Sequence, residues 1–202
     1  MRWPYCATIC LLICLVASSL FAVDRIPGRA YEYQKTIHAE SLRNFGLNMP
    51  ADTVAIAAGT IQQESEWNPL AQSSHARGMT QFTTPTWEWI VGLDPSIAQL
   101  GDVWSPKAAI RAMSYYHARL FKVQTLLAAT ECDTWAFVLS SYNGGAGNLN
   151  VDRRLTQSAG KDPTRWFENV EMYSRRTPEA IRENRQYVDR IWNRWRPLYA
   201  KF

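Results

Sequence analysis

Four times in this chain a small polar residue stands directly before a proline at the start of an apolar-periodic stretch. The pairs are Thr84-Pro85, Ser105-Pro106, Asp162-Pro163 and Thr177-Pro178. The pattern is a helix start: the polar side chain caps free N–H groups, and proline, which has no N–H, loses nothing in the first turn. Its recurrence constrains the chain to a helical fold. Thr84-Pro85 opens a short helix through Trp87 and Ile90, and Ser105-Pro106 a long one, "KAAIRAMSYYHARLFKVQTLLAAT". In the long one Ile110, Met113, Leu120, Val123 and Leu127 recur roughly one turn apart. Asp162-Pro163 is expected to open a helix over "TRWFENVEMYS", and Thr177-Pro178 a final helix through Trp195.

Other boundaries follow from the same chemistry. A helix over Tyr31 to Phe45 ends at Gly46. Asp52 is placed to cap "TVAIAAGTIQQES", whose Ala and Ile content implies burial on most sides. Asp133 or Thr134 starts "WAFVLSSYN", which runs into the glycine-rich turn "NGGAGN". No long alternating run, repeat or low-complexity tract is present. The expectation is an all-α domain over residues 31–202, preceded by a linker at 24–30. With 202 residues, 47% of them apolar, such a domain can bury a core without disulfides.

Residues 1–23 are of another kind. After Arg2, "CATICLLICLVASSLFAV" runs uncharged from Cys6 to Val23, then breaks at Asp24, Arg25 and Pro27. Ala17, Ser18, Ser19 and Ala22 would permit cleavage as a signal peptide. About 18 residues is also the lower limit for a retained membrane-anchoring helix. Both readings stand, and either puts the domain in the periplasm or cell envelope. Cys6, Cys10 and Cys14 share a helix face within this segment, leaving Cys132 as the cysteine outside it. One of the three would pair with Cys132 if the segment leaves the membrane; otherwise Cys132 is a free thiol. No metal-ligand spacing occurs and the three histidines are scattered, so no metal and no other cofactor is expected. The net charge of +4 favours an anionic partner. Export argues against nucleic acid and for a wall or lipid surface.

One stretch carries chemistry. Glu64 falls at the C-terminal end of the Ala/Ile-rich helix, where the helix dipole disfavours an ionised carboxylate. A partly buried carboxyl there has its pKa raised, which is what a general acid requires. By position alone, a solvated helix end beside Gln62 and Gln63 is the favoured reading.

The surrounding residues add a resemblance. "ESEWNPLAQSSHARGMTQFTTPTW" resembles the catalytic segment of the family 1 lytic transglycosylases, the soluble-lytic-transglycosylase (SLT) domains, which share the goose-type lysozyme fold. Glu64-Ser65, Trp67-Asn68-Pro69, Ser73, Gly78, Gln81 and Thr86-Trp87 match. "SSYNGGAGNL" is similar to the Ala-Tyr-Asn-Ala-Gly motif, with Tyr142 and Asn143 in register. "ENRQYVDRIW" is similar to the terminal Glu-Thr-x-x-Tyr-Val motif through Glu183, Tyr187 and Val188, and "WSPKAAIRAMSYY" to the helix between blocks. The chain departs from the pattern at Ala76-Arg77, Met79-Thr80 and Phe82-Thr83-Thr84.

The resemblance implies a lysozyme-like helical fold and a peptidoglycan lytic transglycosylase. Glu64 would act as general acid, then base, and Tyr142 would hydrogen-bond its carboxyl. Asn143, Gln81 and Ser73 would bind sugar acetamido and hydroxyl groups or serve their turns. Met79, Glu183 and Tyr187 would play lesser parts, with a structural role favoured for the last two. Trp67 and Trp87 are the tryptophans placed to face a groove. The basic tail "NRWRPLYAKF" would contact an anionic surface or form a solvated face. A monomer is expected. Two alternatives remain: a hydrolytic muramidase of the same fold, and a non-catalytic wall-binding protein. Phage lysis, a wall-opening accessory of a secretion apparatus and housekeeping remodelling are all compatible settings.

Overall fold

In chain order the helices are α1 (Gly28–Phe45), α2 (Thr53–Ser65), α3 (Thr84–Leu93), α4 (Pro106–Gln124), α5 (Glu131–Gly144), α6 (Ala146–Ser158), α7 (Pro178–Asp189) and α8 (Arg196–Leu198). They come from a computed structural model that describes residues 24–202; the apolar segment Cys6–Val23, with both readings of it, lies outside the described residues. A π-helical stretch, Arg190–Trp195, joins α7 to α8. Between α2 and α3 a two-stranded antiparallel hairpin, β1 (Ala76–Arg77) and β2 (Phe82–Thr83), pairs Ala76 with Thr83 and Arg77 with Phe82. The described chain is all-α apart from this hairpin.

The proline-marked starts divide by what each cap side chain does. Thr83 caps α3 by accepting from the Thr86 N–H, and Thr177 caps α7 by accepting from Ala180. Ser105 precedes α4, but its hydroxyl donates to the Leu100 carbonyl, 2.8 Å away, and closes the preceding loop. Asp162-Pro163 opens no helix. The Asp162 carboxylate accepts from both the N–H and the hydroxyl of Thr164, a turn that competes with helix formation. Trp166 N–H then donates to the Asp133 carboxylate, and the segment winds only one 3-10 turn, Val170–Met172.

Two further starts differ from expectation. Thr130, rather than Asp133 or Thr134, caps α5, accepting from Asp133 N–H while its hydroxyl donates to the Asp133 carboxylate, a reciprocal box. Asp52 makes no cap; its carboxylate pairs with Arg196 at 2.9 Å. The glycine-rich stretch is also more helical than read, since α6 begins at Ala146 straight after Gly145.

α2 is the axis of the core: Thr53 through Ile61 are all buried. α1, the π-helical stretch and α8 pack directly on it, with α3 and α4 sharing the hydrophobic cluster on one side and α5 and α7 that on the other. The basic tail folds back onto this core. Arg194 pairs with Asp24 at 2.7 Å, and Tyr199 and Phe202 are buried. Trp67 is not a groove residue but fully buried, stacked on Tyr33 and packed against Tyr199 and Phe202. Its indole N–H donates to Gln62 and to the Tyr199 hydroxyl, each at 2.9 Å, so the polar edge of the ring is satisfied inside. Trp87 packs on Phe82, a wall residue of the hairpin.

Trp67→Ala should cost about 3–5 kcal/mol, since it opens a cavity and strips a partner from Gln62 and Tyr199. Urea denaturation measures it; a loss below about 1 kcal/mol would mean that the tail does not pin the end of α2.

Candidate active site

Glu64 occupies the last turn of α2, just before the chain turns through Glu66 and Trp67, both left-handed at φ 50° and 67°. The two residues before it are locked from outside. Gln62 accepts from Trp67 and from the Tyr199 hydroxyl, and Gln63 accepts from the Trp195 indole at 3.0 Å. Glu64 is thereby left to face the opposite side. Its carboxyl accepts a hydrogen bond from the Tyr187 hydroxyl at 2.6 Å, reaching across from α7.

Protein encloses this carboxyl except where it meets an open groove of ≈ 640 Å³. Burial pushes its pKa up to about 8. Donation from Tyr187 works against the shift, and the charge of Glu183 adds to it. At neutral pH Glu64 therefore holds its proton, as a general acid must before it reacts.

Every wall of the groove comes from a different element. The loop and hairpin supply Ser73 and Gln81, α5 supplies Tyr142 and Asn143, and α7 supplies Glu183. Gly78 makes the tight part of the hairpin: at φ +77° an added Cβ would sit 2.1 Å from the Val103 carbonyl oxygen. Ser73 accepts from the N–H groups of His75 and Ala76, and the Gln81 amide donates to the carbonyls of Ala71 and Gly78. These two side chains hold the loop in shape, leaving the Gln81 amide oxygen as its acceptor toward the groove.

The stretch from α2 through α5 lies within residues 44–164, which match the model of the transglycosylase SLT domain family. The chain belongs to this family. It is similar to proteins named membrane-bound lytic murein transglycosylase F: 39% identical over 110 residues to that of Aliivibrio fischeri and 36% over 110 residues to that of Shewanella frigidimarina. It is 34% identical over 113 residues to that of Vibrio cholerae. Each match covers 54 to 55% of this chain and only 19 to 21% of the relative, so the chain spans about a fifth of the length of these curated relatives.

Six of the expected residues meet in the groove: Glu64, Ser73, Gln81, Tyr142 and Asn143 from the stretch matched to the SLT domain, and Glu183 from α7 beyond it. Met79 and Tyr187 lie behind its wall, both buried. The bond expected from Tyr142 to Glu64 is made by Tyr187. Tyr142 instead donates to the Thr80 carbonyl at 2.8 Å and ties the hairpin to α5. Burial, then the charge of Glu64, holds its phenol well above the usual range, so it stays neutral. Its ring rests edge-on against fully buried His117, whose pKa burial lowers to about 3.

Asn143 is fixed from below. Its amide oxygen accepts from Asn184 at 2.8 Å, and its NH₂ reaches Glu183 at a long 3.5 Å. Buried Asn184 also bonds Ser140 and accepts from Arg176, which pairs with Asp152 at 2.8 Å. An added Cβ on Gly144 would come 2.5 Å from the Arg176 guanidinium and 2.8 Å from the Asn184 amide, so a side chain there would displace this network beneath α5.

Asn184, Tyr116 and His75 were missed from the sequence, and Thr86 was matched there without a place in the groove. Tyr116, a groove-wall residue, sits in the matched "WSPKAAIRAMSYY" helix, the one signal that pointed near it. Glu66, the nearest acid to Glu64 in sequence, is exposed on the turn and does not line the groove. Among the described residues no group of three or more His, Cys, Asp or Glu is placed to hold a metal ion. Among the described residues half-buried Cys132 has no disulfide partner, and burial raises its thiol pKa; Cys6, Cys10 and Cys14, its candidate partners, lie outside the described residues.

The raised pKa carries a stability consequence. Between the carboxyl's ordinary 4.5 and its native value of about 8, the folded state holds a proton that the unfolded state has released. Stability contributed by this group is therefore complete at acid pH and is lost as pH rises toward about 8. Glu64→Gln should match the parent at acid pH and exceed it in stability by a margin that widens up to that point. Denaturant midpoints across pH test it; a constant difference would contradict the protonated carboxyl.

Proposed function

We propose that this SLT domain is a peptidoglycan lytic transglycosylase that cleaves the β-1,4 bond between N-acetylmuramic acid and N-acetylglucosamine. The observation that carries the reading is a single protonated carboxyl, Glu64, at the bottom of an open groove and held by Tyr187. Glu64 gives its proton to the glycosidic oxygen as the bond from C1 breaks. The muramyl 2-acetamido oxygen closes onto C1 and carries the positive charge. Glu64, now a carboxylate, removes the proton from the C6 hydroxyl, whose oxygen displaces the acetamide from C1. The product is 1,6-anhydromuramic acid, no water is consumed, and Glu64 ends protonated. Tyr187 stabilises the carboxylate form between the two steps. Tyr142 keeps the hairpin against α5 so that the groove holds its width.

The names of the relatives, membrane-bound murein transglycosylases, support an envelope location. Residues 6–23 would serve export or tethering, and the domain would work as a monomer.

One observation favours a second reading. Glu183 is an exposed carboxylate in the same groove, and a second acid is what a hydrolytic muramidase uses to activate water. Mass spectrometry of digested peptidoglycan separates the two: anhydro ends support transglycosylation, reducing ends hydrolysis, and no release a wall-binding role. Glu64→Gln should lower release by at least about a hundredfold. Activity should fall as pH rises through about 8, because the acid loses its proton. Tyr187→Phe removes a bond that favours the carboxylate. Its alkaline limb should move to higher pH while the rate drops roughly tenfold to a hundredfold. A limb that stays in place would remove Tyr187 from the account.

A further inference from the structure

Trp67 and Trp87 were the tryptophans expected to meet substrate, yet one is buried and the other packs behind the groove wall. Another tryptophan is better placed. Trp89, on α3, is the exposed one among the described residues, with 44% of its surface open. It stands one helical turn beyond Thr86, which lines the groove. Its ring meets Tyr116, also a groove residue, edge-on at 5.7 Å between centroids. The Arg119 guanidinium lies over the same indole, 5.5 Å from its centre, and makes no ion pair among the described residues.

We propose that Trp89, braced by Tyr116 and Arg119, is an outlying sugar-binding platform that extends the groove along α3 and takes a further pyranose ring of the same glycan strand. The inference rests on the peptidoglycan reading above and adds to it a second point of hold away from Glu64. Two features support it. Tyr116 packs nearly perpendicular to the Trp89 ring and the Arg119 cation lies over it, so the ring is held before ligand arrives and little ordering cost remains. The platform is continuous with the groove through Thr86 and Tyr116, which selects a strand already lying in that groove as its occupant. The flat, electron-rich face suits the polarised C–H face of a pyranose, and Arg119 is free to meet a carboxylate on the strand's peptide substituent.

The platform predicts dependence on strand length. In the non-cleaving Glu64→Gln protein, calorimetry with purified glycan strands of graded length should show affinity rising as strands become long enough to reach α3. Adding Trp89→Ala should weaken long strands roughly tenfold and the shortest ones far less, flattening that rise. Trp89→Phe should restore most of it. Unchanged affinity at every length, or the same loss on short and long strands, would overturn the platform and leave the role of Glu64 standing. If Glu64→Gln with Trp89 intact binds no strand of any length, the peptidoglycan reading itself fails, and the platform with it.

Discussion

A helix buried on every side must end somewhere, and where α2 ends decides the site. Its first nine residues, Thr53 to Ile61, are enclosed by helices from both halves of the chain. The next two are clamped by Trp67, Tyr199 and Trp195, which arrive from the turn and the tail. The carboxyl of Glu64 is thus carried to a place where water reaches it only from the groove. An ionised group there would face both desolvation and the negative end of the helix. Keeping its proton is the lower-energy alternative, and a protonated carboxyl opening onto a groove is what the proposed general acid requires.

The parts around Glu64 divide the remaining work between holding and shaping. Tyr187 arrives from a helix more than a hundred residues later and fixes the carboxyl. Tyr142 fixes the hairpin, and Asn184 fixes Asn143 through a buried network reaching Arg176 and Asp152. Because α7 brings Tyr187, Glu183 and Asn184 together, the C-terminal helices belong to the site as much as the matched stretch before them. The basic tail then seals the other face of α2, so its charge serves packing through Asp24 and Asp52 as well as net charge.

Much of this was legible in the residues. The helical class followed from capped prolines and apolar spacing, and Glu64 from its place at the end of an apolar helix beside a recognisable block. The losses have physical causes. Two tyrosines stood in two motifs, and which one reaches a carboxyl depends on helix packing rather than local pattern. Asp162-Pro163 looked like a helix start because the same side chain that caps a helix can grip its own backbone in a turn. Trp67 was misplaced because an indole suits a sugar and a core equally well, and only the polar partners at its edge distinguish them. Trp89 carried no local signal, since exposure is a property of the folded surface.

The central claim is that Glu64 stays protonated at neutral pH because protein encloses its carboxyl on every side but the groove. The most direct measurement is a ¹³C NMR titration of the Glu64 carboxyl in selectively labelled protein, assigned by comparison with Glu64→Gln. A midpoint near 8 is the result that burial beneath the groove requires. A midpoint near the ordinary 4.5 would mean that Glu64 is ionised at neutral pH, and the acid step would have to begin elsewhere.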